Sequence, residues 1–341
     1  MDRSAAGAYV YAKASGMLAK SYVGSRAVRL FSVKSLGELW TLLFRTEVPA
    51  VPEVLLARQI EDSAQRQFLE QFINLLDNYT KPDDVLVSLL RFYDYDNLKD
   101  LAAALCYRES KMPMIADIHQ YTMLHYNKWP DLASITAGSP VSWYNKAPEA
   151  HEQQAADAKL DVQYVKDVWR SVQKLPAGVR KPVRELIREE LSIQNALWAI
   201  RLRVYYKMDA DEIPARLAYA DESHPSDDVL AGEALSILHK DTGSWDDWKD
   251  WKYARDLNPH EEGVVWEIDP RWIERIAKIR LNEHALKAFH KYPFTAMVLV
   301  SWFKIKQNEL DCIRTVAEGL RLNVEQSQVM NFAGVSRSNQ A

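Results

Sequence analysis

The 341-residue chain has only two cysteines, Cys106 and Cys312, and they form no CxxC pair. Both lie on apolar helical patterns, which points to buried thiols in a reducing compartment and excludes a disulfide framework or a zinc site. The sequon at Asn78 is accordingly expected to be unused. Long hydrophobic runs are missing too. The longest, Ala296 to Phe303, contains Ser301 and is far short of the roughly 20 residues that a membrane span needs. No charged start followed by an apolar stretch opens the chain, so a protein that neither spans a bilayer nor is exported is expected. Basic charge is in no excess: 43 Lys and Arg stand against 47 Asp and Glu, for a net charge of -4. That balance supplies no broad positive field and argues against a nucleic-acid partner.

What is present is helical periodicity. Val10, Ala14, Met17 and Leu18; Phe68, Phe72, Leu75 and Leu76; and Val165, Val168, Trp169 and Val172 all follow the spacing of one helix face. No strand alternation competes, so the fold class is all-α. A long helix is predicted over 293–319. Its face of Ile313, Val316, Ala317 and Leu320 packs on protein, while Lys304, Lys306 and Glu309 mark where it turns to something else. Breaks are predicted at 46–52, 80–84, 138–148, 175–182, 221–228 and 257–263, where Pro, Gly and small polar residues gather. Short breaks and no flexible tether predict a stiff body, and the length predicts two or three lobes.

One weak repeat appears. The segments 92–105, 190–203 and 306–320 align with Asp94, Ser192 and Asn308 in register and Asn97, Asn195 and Asp311 three positions later. Intervals of about a hundred residues are too long for a solenoid and suggest three related helical lobes. Asn97, Asn195 and Asp311 have two readings: they satisfy buried backbone groups or cap helices, or they line a central socket and meet a partner.

The opening helix with Tyr9, Tyr11, Ala12 and Leu18 and the close at Thr46-Glu47, the motif Asp96-Asn97-Leu98-Lys99, and the closing series Trp302, Lys306, Glu309, Leu310, Arg314 and Gly319 occur in one order. Together they resemble the C-type subunit of V-type and archaeal-type rotary ATPases, whose eukaryotic equivalent is the d-type subunit, over residues 7–330. The chain departs from the family where AAALCYRESK stands in place of the Arg that usually comes after the middle motif, and Ala12 to Lys20 is poorer in Arg. The resemblance implies three similar helical-bundle lobes forming a pseudo-threefold funnel, with approximate lobes at 1–95, 96–220 and 221–330 and a polar tail at 331–341. It implies a non-catalytic connector without cofactors. Its partners are the central shaft subunits of D and F type and the membrane proteolipid ring, and it is present once per complex. The location implied is cytoplasmic and peripheral to the membrane, in a machine that couples ATP to proton or sodium transport.

The sharpest enzymatic signal is Asp246, Asp247 and Asp250 in DDWKD, a pattern that binds magnesium and diphosphate in all-helical isoprenoid synthases. Those enzymes need a second acidic cluster on a facing helix, and no convincing one is found. The bland reading makes Trp245, Trp248 and Trp251 an apolar stripe with the aspartates in water. Those tryptophans, in a segment with no counterpart in the family, are equally fitted to a core and to a partner-binding surface. Lys20-Ser21 lacks the glycine of a phosphate loop, and His119 and His125 are spaced wrongly for two ligands on one helix face. The alternatives to the connector are thus a magnesium-dependent diphosphate enzyme and a generic helical adaptor.

Overall fold

A computed structural model describes residues 3–335. Among these, every regular element is helical. The part of the expected polar tail from 336 to 341 lies outside the described residues. In chain order the α-helices are α1 (Arg3–Lys20), α2 (Leu36–Phe44), α3 (Glu53–Leu76), α4 (Asp84–Leu90), α5 (Phe92–Cys106) and α6 (Leu132–Thr136). They continue with α7 (Gln153–Gln173), α8 (Ala177–Val204), α9 (Gly232–Leu235), α10 (Trp245–Trp248), α11 (Pro270–Lys291), α12 (Ala296–Arg321) and α13 (Gln326–Phe332).

Capping chemistry sets several of these starts. Ser35 Oγ accepts the Glu38 N–H at 3.2 Å while Glu38 Oε2 accepts the Lys34 N–H at 2.7 Å, so two donors at the head of α2 are satisfied. Asp269 accepts the Arg271 N–H at 3.0 Å, with Pro270 at the first turn of α11. The helix predicted from Pro293 begins instead at Ala296. Phe294 stands in the left-handed region at φ 63°, and Thr295 Oγ1 caps the Met297 N–H. The 175–182 break is likewise only a corner. The Pro176 carbonyl accepts from Val179 and Arg180, α8 starts at Ala177, and Pro182 lies inside that helix.

The largest core gathers α1 to α4, α12 and α13 with the facing parts of α7, α8 and α11. Its centre is aromatic: Trp302, fully buried, stacks on Phe68 at 6.0 Å and Phe72 at 5.8 Å. A second core lies between the C-terminal half of α8, residues 208–268 and the start of α11; a third joins α5 to residues 124–144 and Leu160. The division drawn at residue 95 falls inside α5.

The prediction of helices joined only by brief turns fails in two places. Residues 107–152 and 205–269 are long excursions with only short helical pieces. They hold their shape because their apolar side chains, among them Leu124, Val141 and Tyr144 in the first and Trp248, Trp251, Tyr253 and Trp266 in the second, are buried at irregular spacing. That spacing carries no helical period.

Candidate partner-binding cavity

The helices α5, α8 and α12, which carry the three related segments, converge on one cavity of about 450 Å³. Matching positions line it at constant intervals. Phe92, Tyr93 and Asp96 on α5 correspond to Glu190, Leu191 and Gln194 on α8, each 98 residues on, and these to Gln307, Asn308 and Asp311 on α12, each 117 further. The same 117-residue step carries Asp161, Tyr164 and Val165 of α7 to Lys278, Leu281 and Asn282 of α11. The α7–α8 hairpin therefore recurs as α11–α12, with both of its helices on the cavity wall.

This geometry moves the sequence alignment of the third segment by one residue. With Asp96, Gln194 and Asp311 equivalent, the counterpart of Asn97 and Asn195 is Cys312, and that of Asp94 and Ser192 is Glu309. Burial agrees. Asn97, Asn195 and Cys312 are all buried, as are Asp94, Ser192 and Glu309, whereas the Asp311 side chain is 47% exposed. The correction has a physical basis: Asp94 and Glu309 each accept a backbone N–H from the segment packed over their helix, of Met123 and Tyr22 respectively.

The six residues singled out from sequence are thus dispersed. Asp311 lines the cavity, 3.6 Å from Lys278 and 3.9 Å from Arg314. Asn97 and Asn195 lie behind the wall and tie down the excursions. Asn97 Nδ2 donates to the Ala116 carbonyl at 2.9 Å and to Tyr126 Oη at 2.8 Å, and its Oδ1 accepts the Ala116 N–H at 2.8 Å. Asn195 Nδ2 donates to the carbonyls of Ala218 at 2.8 Å and Leu230 at 2.9 Å, and its Oδ1 accepts the Ala218 N–H at 3.1 Å. Trp248 and Trp251 are buried in the second core, where their rings meet edge to face at 5.5 Å. Trp245 is half-buried and stacks on His260.

The cavity wall sets charged groups of both signs among apolar side chains such as Leu191 and Leu281. Lys304 Nζ, nearly closed to solvent, bonds Glu190 Oε1 at 2.8 Å and Gln307 Oε1 at 3.2 Å. Arg314 donates to Gln65 across to α3. Burial pushes the Tyr93 phenol well up, so it stays neutral beside these charges. Burial also raises Asp94 behind the wall, against the lowering effect of its hydrogen bonds to the Met123 N–H, Thr122 and Tyr126. Sequence reasoning missed Glu190, Gln194 and Lys278 as wall residues; the signal that finds them is the 117-residue interval shared by two successive helices.

The other candidate chemistry has different employment. In DDWKD the helix is a single turn, Trp245–Trp248. Asp246 pairs with Lys249 at 3.1 Å, and Asp247 accepts from the Asp241 N–H at 3.0 Å and Ser244 Oγ at 3.2 Å. The three aspartates do not share a helix face. Ser21 Oγ accepts from Lys306 Nζ at 3.0 Å. His119 and His125 are exposed, and among the described residues no three His, Cys, Asp or Glu side chains are grouped as a metal site. Among them, too, no helix is long and apolar enough to cross a membrane.

Repeated helix pairs packed around a solvent-open cavity define an all-α scaffold. The chain belongs to the family described as ATP synthase (C/AC39) subunit, which matches residues 10–332 and is the same V-type family that the motifs resemble. It is also similar to a protein of Treponema pallidum (strain Nichols) described as uncharacterized, with 29% identity over 341 residues covering 98% of each chain.

Proposed function

We propose that this protein is the non-catalytic connector of the central stalk in a V-type or archaeal-type rotary ATPase. It receives the shaft subunits in the cavity between α5, α8 and α12 and rests on the membrane proteolipid ring, one copy per complex. It acts at the cytoplasmic face, peripheral to the membrane, and passes torque without binding ATP. The observation that carries this reading is the cavity whose wall repeats at matched positions from three helices, in a chain that belongs to the family over nearly its whole length. A torque-bearing connector needs dense packing on both sides of its socket, and the aromatic core behind α12 and the paired charges of the wall supply it.

The diphosphate-enzyme reading loses support, since two of the DDWKD carboxylates, Asp246 and Asp247, are spent on a lysine and a turn. The connector is tested by purifying the tagged chain from membranes of its source cell and identifying what comes with it. Shaft subunits and proteolipid are expected. A folded Asp96→Arg/Asp311→Arg double variant should lose the shaft and keep the proteolipid. Recovery of the wild-type chain with neither partner overturns the proposal.

A further inference from the structure

A second cleft lies on the far side of α12, between the end of α1, the end of α2 and the middle of α3, with a volume of about 370 Å³. Its floor is a closed electrostatic unit. Lys306 Nζ donates to Glu309 Oε2 and to Ser21 Oγ, while Glu309 Oε1 accepts the Tyr22 N–H. Both Glu309 oxygens and the Lys306 charge are therefore used, and the floor is neutral. The mouth is not. Lys20 and Arg45 are exposed on the rim, and among the described residues no carboxylate pairs with either. Arg45 is fixed as the cap of α2, in the left-handed region at φ 55° with its N–H on the Thr41 carbonyl. Between rim and floor the wall is apolar, with Met17, Leu42 and Ile313. Gln71 also lines the cleft, and its Oε1 is buried without a hydrogen-bond donor.

We infer that this cleft binds an acidic peptide segment of a partner protein. Two independent features call for that occupant. Two unpaired cations at the rim match side-chain carboxylates. The apolar wall takes the methylene stems or a neighbouring aliphatic side chain. The cleft is separate from the cavity of the proposed shaft socket, and the inference does not depend on that reading.

The test is calorimetric titration of the full chain with an acetylated, amidated Leu-Glu-Leu-Glu tetrapeptide, its Leu-Gln-Leu-Gln analogue, and glutarate. Only the acidic peptide is expected to bind well, with affinity falling at higher salt. Lys20→Gln/Arg45→Gln, at two exposed positions, should weaken it about tenfold. No binding of the acidic peptide, equal binding of the glutamine analogue, or an unchanged Lys20→Gln/Arg45→Gln affinity overturns the inference. Glutarate binding as tightly as the peptide also overturns it. The salt dependence of the wild-type chain decides the matter even if a variant fails to fold.

Discussion

Lys304 on α12 and Glu190 on α8 form an ion pair 2.8 Å long in which neither side chain is more than 12% exposed. The pair joins the second helices of the two related hairpins at the cavity wall. Removing one partner leaves a buried charge without compensation, which costs about 3–5 kcal/mol. Lys304→Met should therefore lower the urea midpoint sharply. Lys304→Met/Glu190→Met, which removes both charges and keeps the volume, should recover most of the loss. A double variant no more stable than Lys304→Met would show that the loss does not come from the stranded Glu190 charge.

The two buried asparagines give a graded prediction. Asn195→Ala strands the Ala218 N–H and the carbonyls of Ala218 and Leu230, all of them buried. Asn97→Ala strands the Ala116 groups, but Tyr126 Oη keeps its bond to Asp94 Oδ1 at 2.7 Å. At about 1–3 kcal/mol for each stranded polar group, both variants lose stability and Asn195→Ala loses more. Asp311→Ala, half-exposed in the cavity, should stay within about 0.5 kcal/mol of the parent. Denaturant unfolding of the three variants checks the order, and amide exchange at Ala218 should speed up in Asn195→Ala before any global change.

This contrast marks what was legible in the sequence. The all-helical class was legible because faces such as Phe68, Phe72, Leu75 and Leu76 repeat at helical spacing and are all buried. The polar residues of the third segment were legible as special, but not their direction: Lys304, Lys306 and Glu309 are polar for the sake of buried ion pairs, which no periodicity distinguishes from a surface stripe. The one-residue error at Asp311 has the same origin. A helix turns 100° per residue, so a slip of one replaces the buried Cys312 by the cavity-facing Asp311, and the backbone N–H groups of Met123 and Tyr22 help to fix the register. Those donors lie in segments far away in sequence. Trp248 and Trp251 could be read either way because hot spots and cores draw on the same residue. Only the packing of the 205–269 excursion around them shows that they are core.

Cys312 offers a probe of the packing of α12. Burial pushes its thiol up to about 12, with the nearby Asp311 and Glu309 adding to the rise. A thiol whose pKa is raised reacts only as pH climbs toward that value, because the thiolate is the nucleophile. At pH 8, four units below, roughly one molecule in ten thousand carries the Cys312 thiolate while folded. Disulfide-exchange labelling of the native chain at pH 8 should therefore modify Cys106, which is partly exposed, and leave Cys312 to react only when the fold opens. One thiol per chain is expected in native buffer and two in guanidinium. In Lys304→Met, labelling of Cys312 should accelerate by the factor through which the opened population has grown, whereas the Cys106 rate should hold. Two equally fast thiols in the native protein would mean that α12 does not pack as described around Cys312.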